Sequence, residues 1–454
     1  MFLFVIKLFK STQSQLMNSF GRIFRVSIFG ESHGESVGIN IDGCPAGLHL
    51  LAEDLLPDLE RRKGGKGKGT TPRQEADYPF FKSGVFNGKT TGFPITILFE
   101  NNNTRSEDYQ KQRSFPRPGH ADFTAHEKFG GHEDFRGGGH FSARLTTGLV
   151  AAGAIAKKLL QQISITATLT EVGGIKDIEQ GLQKAIDAKD SVGGIVECVV
   201  EGLPIGLGEP YFDSLESTLA HMMFAIPAVK GIEFGSGFAA AAMFGTEHND
   251  VIENMTGKTT TNHAGGIVGG ISNGNDLVFR LAIKPTSSTP KVQHSLNWET
   301  GMMEDFSIKG RHDLCVALRA PVIVEACTAI VLVDNMMLEN RIPRVLPAGF
   351  NQETIYHITS AEAWEIAKEK GFYEASSLVD EGFIHCSIAD QVKDTLQRFF
   401  LGQTNLVKLV IEPSKLQHPL KYEIAPSLNI AFPHVYGVIN LEAVTQVLPI
   451  TTYE

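Results

Sequence analysis

The sequence predicts a mixed α/β protein of the α+β type, built from one large unit and one small C-terminal unit. Its 454 residues exceed what a single hydrophobic core usually organises. Short β-branched and aromatic runs alternate with helical patterns, without the regular strand–helix–strand rhythm of a parallel fold. Two prolines and a glycine interrupt the helical pattern between Asn340 and Gln352, which places a boundary near residue 348.

Strands of the large unit are predicted where apolar, β-branched or aromatic runs are bounded by Gly, Asn or Pro. These runs are Ile23–Phe29, Val37–Ile41, Ile95–Phe99, Gly194–Val200 and Asp276–Ile283. Helices are predicted where apolar residues follow a helical spacing. They are Ala52–Arg62, Ser142–Gln162, Ser214–Ala225 and Ala320–Glu339.

The small unit is predicted to open with a strand and to close with a helix. Its predicted elements are the strand Thr354–Ile358, the helix Ala361–Glu369, the strand Leu406–Ile411 and the helix Leu441–Val447. We therefore expect an N-terminal extension at 1–16, a large domain at 17–345, a linker at 346–353 and a small domain at 354–454. The start of the large domain rests on a second methionine, Met17, just before the first predicted strand.

Composition excludes several classes of protein. A hydrophobic content of 42% and a charged content of 20% are typical of a globular protein. The net charge of −10 argues against a general nucleic-acid binder but leaves room for a local basic patch that holds an anionic metabolite. Five widely spaced cysteines without a CxxC pair indicate reduced thiols in the cytoplasm and no structural zinc site. The apolar start, Met1–Phe9, is too short to span a membrane.

Three groups of polar residues stand out in the large unit. The first is the turn Gly30–Gly34, which would present His33 at the end of a strand. Taken alone, this turn favours the simpler interpretation, in which loop backbone holds the histidine and it has no chemical role.

The second group contains Arg117, His120 and three consecutive glycines at 137–139, followed by Ser142 and Arg144. Free N–H groups in such a segment, with the positive end of a following helix, would bind an anion or a phosphate. The alternative is a flexible turn with a capping serine. The neighbouring histidines lack metal-ligand spacing, so no metal is expected.

The third group comprises a basic loop at 60–69 and three later segments, at 262–266, 284–288 and 309–313. Lysines and arginines in glycine-rich loops can close over a phosphate, although a solvated basic loop is the plainer interpretation. Each segment alone is a weak signal. Together they indicate a site for an anionic ligand.

Taken in order, the segments GESHG, RPGHAD, GGGxxSAR, NHAGG, KPTSS and GRHD resemble the signature of the chorismate synthase family over residues 18–345. The resemblance implies a β-α-β sandwich fold and a cytoplasmic homotetramer without nucleic-acid or membrane partners. It also implies anti-1,4-elimination of phosphate from 5-enolpyruvylshikimate 3-phosphate to give chorismate, in aromatic amino-acid biosynthesis. Reduced FMN is then the expected cofactor, although no net oxidation occurs.

Within this resemblance, His120 is expected to protonate the departing phosphate and His33 to protonate or stabilise the reduced flavin. Asp313 would help to remove the C6 proton, supported with the other groups by Ser32 and Ser142. The implied FMN contacts are His140, Phe141, Ser142, Ala228, Gly269, Lys284, Pro285, Thr286, Ser287, Ser288 and Arg311. The substrate's phosphate and carboxylates would be held by Arg62, Lys68, Arg117 and Arg144.

The chain departs from the family pattern at two positions. Pro227 stands where some members have Asn, so only a backbone contact to the flavin would remain there. Lys68 stands where some members have an Arg proposed to contact NADPH. NADPH is therefore expected to act only if the enzyme reduces its own flavin, and reduction by an outside source is our default expectation.

The small unit resembles the family catalogued as domain of unknown function 952, through its HIT opening, EGFIHCS centre and FPHxYG close. That family has been linked by fold to ADP-ribosyltransferase-like domains, which would imply a nucleotide-type ligand. Three histidines on strand-like segments indicate either a small polar pocket or satisfied core and edge residues. Cys386 and His385 are adjacent on a strand, so their side chains should point to opposite faces.

A hypothesis from another class is a catalytically inactive scaffold that binds flavin or a metabolite and carries a nucleotide-sensing C-terminal module. Loss of His33, His120, Asp313 or the arginines would favour it. All of them are present in the sequence.

Overall fold

The computed structural model describes residues 18–65, 67–71, 75–103, 114–308, 312–347, 350, 354–425 and 430–450. The chain forms two separately packed units. The first comprises Met1–Cys44 and Leu50–Arg344, and the second Pro45–His49 and Val345–Glu454. The predicted N-terminal extension, at 1–16, and most of the predicted linker lie outside the described residues.

The first unit begins with a five-stranded antiparallel sheet that follows from the predicted apolar runs. In sheet order the strands are Ser19–Phe20, Arg25–Gly30, Ser36–Asp42, Ile95–Glu100 and Phe80–Ser83. Arg25–Gly30 and Ser36–Asp42 form a hairpin in which Gly30 pairs with Val37. The turn of this hairpin therefore carries His33.

A second, four-stranded antiparallel sheet completes the strand layers of the first unit. In sheet order its strands are Val229–Phe234, Leu277–Ile283, Gly194–Glu201 and Ser164–Val172. Leu277–Ile283 alternates buried and half-buried side chains, as expected for a strand with one face on the core.

Two almost wholly buried helices lie between the sheets. Thr146–Leu159 packs on the five-stranded sheet and Ala320–Leu338 on the four-stranded sheet, and the two helices pack on each other. A Cβ at Gly153 would collide with Ala326, so glycine permits this close approach. The predicted β-α-β sandwich of the α+β class is thereby confirmed.

Shorter elements complete the first unit. Its other helices are Leu56–Arg62, Asp122–Phe129, Ile178–Ala188, Leu215–Phe224 and Gly245–His248. Its other strands are Val85–Phe86, Lys89–Thr90, Ile267–Val268, Ile271–Ser272, Gln293–Leu296 and Met303–Phe306. The stretch Val316–Leu338 is long and apolar enough to cross a membrane, but 78% of its most apolar window is buried inside the protein. Its apolar composition is therefore explained by its position in the core of the first unit.

The second unit contains two three-stranded antiparallel sheets and a two-stranded ribbon. The sheets are Ile355–Ser360, Leu406–Ile411 and Val444–Pro449, and Ile384–His385, Ile430–Val435 and Leu420–Ala425. The ribbon pairs Phe372–Tyr373 with Ile439–Asn440. The helices are Ala361–Lys370, Ser376–Asp380 and Val392–Phe399. Their core includes the buried Trp364, Leu409 and Val435.

One element of the second unit was predicted wrongly. In place of a helix over Leu441–Val447, a short 3₁₀ turn at Leu441–Ala443 leads into the strand Val444–Pro449. The strand pairs with Leu406–Ile411. Val444, Thr445 and Val447 are β-branched, which lowers helix propensity, and strand pairing satisfies their backbone groups.

All five cysteines are free and buried. Burial raises the pKa of the Cys44 and Cys327 thiols to about 12, so neither thiol is reactive.

Candidate functional site

A cavity of about 570 Å³ in the first unit is lined by residues from all three groups of polar segments. The predicted site residues that line it are Ser32, His33, Arg62, Arg117, His120, His140, Phe141, Ser142, Arg144, Ala228, Lys284, Pro285, Thr286, Ser287, Ser288 and Asp313. Segments far apart in sequence therefore meet at one place.

The hairpin turn that carries His33 is fixed from two sides. The Asn101 side-chain amide donates to the carbonyls of Glu31 and Gly34, at 3.0 and 2.9 Å. On the other side, the Ser32 N–H donates to the Gly139 carbonyl at 3.1 Å. Ser32 and His33 are both buried as a result.

The three consecutive glycines bring the backbone against His33 and His120, the two histidines predicted to act in the site. Gly137, Gly138 and Gly139 have φ values of 62°, 84° and 52°, in the region that favours glycine. A Cβ at Gly137 would collide with the ring of His33, and one at Gly138 would lie 3.2 Å from His120 Cε1. The glycines therefore allow the approach of the two imidazoles, and the helix itself starts only at Thr146.

His120 is oriented by a carboxylate and an arginine. Its Nδ1 lies 2.6 Å from Asp122 Oδ1, and the Arg117 guanidinium donates to both Asp122 oxygens, at 2.7 and 2.8 Å. Burial alone would raise the pKa of Asp122, but hydrogen bonds from Arg117 and His120 hold it well below its usual range. The ionised Asp122 fixes Nδ1 as a donor and leaves Nε2 for chemistry.

The 284–288 segment anchors the loop that carries His120. Lys284 Nζ donates to the Gly119 carbonyl at 3.0 Å and to Ser287 Oγ at 2.8 Å, and the Ser287 hydroxyl donates to the same carbonyl at 2.8 Å. Burial, and then the charge of Lys230, lower the pKa of Lys284. The two motifs thus form one structural unit at the cavity wall.

Asp313 is bound by two donors beside a neutral histidine. Its Oδ1 accepts the Thr71 N–H at 2.8 Å, and its Oδ2 forms an ion pair with Arg319. Burial and the positive charge of Arg117 lower the pKa of the neighbouring His312 to about 4, against the opposing effect of Asp313. His312 is therefore neutral near neutral pH.

All three predicted clamp arginines are already bound to the protein, Arg117 to Asp122 as described above. Arg62 donates to Asp77 Oδ2 at 2.8 Å, and Arg144 contacts Asp77 Oδ1. Arg144 also donates to the Asn101 side chain at 2.9 Å and to the Glu100 carbonyl at 3.2 Å. All three nitrogens of its guanidinium are engaged, so it is not placed for bidentate capture of a ligand.

Three predicted residues do not contribute to the described cavity. Lys68 Nζ is exposed and donates to Gln183 at 2.7 Å. Gly269 lies in the turn between two short strands, away from the cavity lining. Arg311 lies outside the described residues.

Sequence reasoning assigned no role to Asp77, Asp122, His312 or Arg319, which line the cavity or contact residues that do. Asp122 lies in the motif RPGHAD and His312 in GRHD, so membership of a motif was the signal that could have identified them. Asp77 lies in a stretch without a pattern. Arg319 directly precedes the helix Ala320–Leu338, where an arginine reads as an ordinary helix-start residue.

Several buried polar atoms at the cavity have no hydrogen-bond partner among the described residues. They are Arg62 Nε, His140 Nε2, Thr286 Oγ1, His312 Nε2 and Arg319 Nε. Because buried polar atoms are normally satisfied, this set indicates a polar ligand. In the part of the chain that the structure describes, no cluster of three His, Cys, Asp or Glu side chains suits a metal ion.

The three histidines of the quoted second-unit motifs have different environments. His357 is buried, with Nδ1 donating to the His385 carbonyl at 2.7 Å and Nε2 lying 2.8 Å from Tyr373 Oη. His385 and His434 pair across neighbouring strands and bind Glu381 and Glu423. Cys386 is buried whereas His385 is exposed, as predicted for opposite strand faces.

Two known protein families match this chain, one in each unit. A sequence model described as Chorismate synthase matches residues 24–337, and one described as Protein of unknown function (DUF952) matches residues 358–447. Both predicted resemblances are therefore confirmed.

Individual relatives are similar over the same share of the chain. The Chorismate synthase of Chitinophaga pinensis is 72% identical over 330 residues, which are 72% of this chain and 99% of the relative. That of Dehalococcoides mccartyi is 45% identical over 362 residues, covering 73% of this chain and 100% of the relative. A crystal structure of a chorismate synthase is 26% identical, covers 70% of this chain and 93% of its own, and gives a TM-score of 0.53.

Proposed function

The chain belongs to the chorismate synthase family, and we propose that its first unit acts as a lyase through the cavity described above. The reaction is the anti-1,4-elimination of phosphate from 5-enolpyruvylshikimate 3-phosphate. The observation that carries the proposal is the convergence of His33, His120 and Asp313 on one cavity with unpartnered buried polar atoms. The proposal does not extend to the second unit, because the family that it matches is described only as a Protein of unknown function.

The cavity suits a flavin phosphate as cofactor. His140 Nε2 and Thr286 Oγ1 are buried polar atoms without partners among the described residues, and Lys284 lies in the same lining. His140, Phe141, Ser142, Ala228 and residues 284–288 would hold the group. When bound, reduced FMN supplies the electron density that assists loss of phosphate without net oxidation.

His120 is the proposed proton donor. Because Asp122 holds the Nδ1–H, the acid form of His120 gives the proton for the departing phosphate from Nε2 as the carbon–oxygen bond breaks, and a neutral imidazole remains. His33, on the other side of the glycine segment, is proposed to hold a proton near the reduced flavin.

Asp313 is proposed to assist removal of the C6 proton. The Thr71 N–H and Arg319 hold its carboxylate at the cavity wall, where it would accept the proton. Approach of an anionic substrate would draw Arg319 toward the ligand and weaken this ion pair. Ser32 and Ser142 are proposed to support these groups by hydrogen bonding.

Cationic side chains around the cavity suit a substrate with a phosphate and two carboxylates. Arg62, Lys63, Arg117, Lys284 and Arg319 line it, against the carboxylates of Glu75, Asp77 and Asp313. Arg62 and Arg319 each keep a buried Nε without a partner among the described residues, so they are the stronger choices for ligand contact.

NADPH is not part of the proposed reaction. Lys68 binds Gln183 and does not line the cavity, and Pro227 offers no side-chain amide to a flavin. We therefore propose that an outside reductant supplies reduced FMN. NADPH oxidation by the purified protein with free FMN would contradict this.

Assembly as a cytoplasmic homotetramer is proposed from the resemblance and from exposed apolar side chains. Tyr211, Phe212, Phe238, Phe244 and Met255 are all largely exposed in the first unit. Such residues are enriched where proteins associate. Light scattering after size-exclusion chromatography tests the assembly, and a monomer at micromolar concentration would reject it.

The test of the main proposal is an anaerobic assay of phosphate release with chemically reduced FMN. The intact protein should release phosphate and form chorismate, whereas His120→Ala and Asp313→Asn should nearly abolish both. Full activity in either variant would reject its assigned role. A chain that ends at residue 347 should keep the activity, and an inactive but folded truncation would assign the second unit to catalysis.

A further inference from the structure

Asp77 joins two arginines at the cavity wall. It is 2% exposed, and each of its carboxylate oxygens meets a different guanidinium, that of Arg62 or that of Arg144. Arg62 comes from the end of the helix Leu56–Arg62, and Arg144 from the 3₁₀ turn Ala143–Leu145. One buried carboxylate thus fixes cations from two separate elements.

The two arginines have different capacities for a ligand. Arg144 donates to Asn101, Glu100 and Asp77, which engages all three of its guanidinium nitrogens. Both arginines line the cavity, but Arg62 keeps a buried Nε without a partner among the described residues. Arg62 is therefore the member of the pair that can face a ligand, and Arg144 is an internal brace.

Charge makes Asp77 necessary for this arrangement. Arg62 is buried near Arg144 and Arg319, and like charges in a low-dielectric site repel one another. Burial, together with Arg319 and Arg144, lowers the pKa of Arg62 to about 10, and Asp77 opposes this shift. Other charged groups in the cavity lining are Lys63, Glu75, Asp313, Arg117 and Lys284. Without Asp77, Arg62 would lose both its orientation and part of its charge at alkaline pH.

We propose that Asp77 is a positioning residue that holds Arg62 toward an anionic group of the substrate, with Arg144 as the brace on its other oxygen. The inference rests on the proposed function of the cavity. It assigns to Asp77 no contact with the substrate.

The first test is Asp77→Asn, measured as KM and kcat against pH with reduced FMN. Asp77 has a φ of 51°, and Asn tolerates this conformation, so the exchange removes charge with little change of backbone. KM for 5-enolpyruvylshikimate 3-phosphate should rise about tenfold or more, with a smaller change in kcat. The alkaline limb of kcat/KM should move to lower pH. An unchanged KM and an unchanged alkaline limb would overturn the proposal.

A matched buried carboxylate separates positioning from stability. Asp334 lies in the first unit outside the cavity lining and accepts backbone N–H groups of residues 22–24. Asp334→Asn should lower stability but leave KM and the alkaline limb unchanged. Should it shift both as Asp77→Asn does, the effect would be general destabilisation and the proposal would fail.

If Asp77→Asn does not fold, Arg62→Gln and Arg144→Gln decide the question. The proposal expects Arg62→Gln to raise KM by itself and Arg144→Gln to act less on KM than on stability; the reverse order overturns it. If Asp77→Asn does fold, the double variant with Arg62→Gln should add little to either single change, and additive effects would overturn the proposal.

Calorimetric titration with inorganic phosphate reports binding without turnover, so weaker phosphate binding in Asp77→Asn would support the inference even if the intact protein forms no chorismate.

Discussion

Gly138 lies against the imidazole of His120, so that a Cβ at this position would stand 3.2 Å from Cε1 and 3.3 Å from Nε2 of the ring. The contact is closer than most Cβ atoms tolerate, and φ at Gly138 is 84°. The glycine therefore serves the placement of the proposed proton donor.

Gly138→Ala should lower kcat strongly, because the added methyl group displaces the His120 ring. A displacement of about 1 Å at a reacting group can cost about 10²-fold in rate. Gly130→Ala is the matched control, since Gly130 also has a positive φ of 65° but its nearest neighbour lies 3.8 Å away. Phosphate release should separate the two variants. Equal losses in both would show that backbone strain, and not the His120 contact, is responsible.

Asp122→Asn should lower kcat by about 10²-fold or more, because the neutral amide no longer fixes His120 Nδ1 as a donor. Hydrogen bonds hold the pKa of Asp122 well below its usual range, so this carboxylate should cause no acid-side loss of kcat from about pH 5 upward. The matched control is Asp190→Asn, which removes a carboxylate bound to Thr289 outside the cavity lining. Steady-state kinetics should separate the two variants. Equal kcat values for Asp122→Asn and Asp190→Asn would contradict the proposed orientation of His120 by Asp122.

The sequence motifs predicted most of the segments that meet at the cavity, because short glycine-flanked patterns carry their residue types in a fixed order. The predicted 262–266 segment does not line it. The motifs could not show which arginines bind carboxylates of the protein and which can bind a ligand. Arg62 and Arg144 read as free clamps until the fold placed Asp77 between them, and Asp77 stands in a stretch without periodicity or motif. The strand Val444–Pro449 was missed for a related reason, since its pairing partner lies far away in the sequence.

The second unit should lose stability as the pH falls from about 6.5 to about 4. Burial lowers the pKa of His357 to about 4 in the folded state, whereas an unfolded histidine titrates near 6.5. Between these values the unfolded chain binds more protons, so acid favours unfolding. The full difference amounts to about 3 kcal/mol, as an order of magnitude.

Trp364 offers a direct readout of this transition, because it is buried in the core of the second unit. Trp298→Phe leaves it as the single tryptophan of the chain. Denaturant unfolding followed by its fluorescence should show the acid loss in this background and a much smaller loss after His357→Gln. The same pH dependence in both proteins would mean that His357 is not its source.

Asp334→Asn should destabilise the first unit by about 1–3 kcal/mol, the range for hydrogen bonds to a buried charged group. The Asp334 carboxylate, near the end of the helix Ala320–Leu338, accepts the N–H groups of Arg22, Ile23 and Phe24 at 2.7 to 3.1 Å. It thereby satisfies the backbone donors that lead into the first long strand, and an amide oxygen would accept them less strongly. The urea midpoint measures the change, with Asp42→Asn as the control, because the exposed Asp42 carboxylate accepts the N–H of Gly43 at 2.9 Å on the surface. A midpoint shift no larger than that of the control would show that the N-terminal segment is held in place by packing alone.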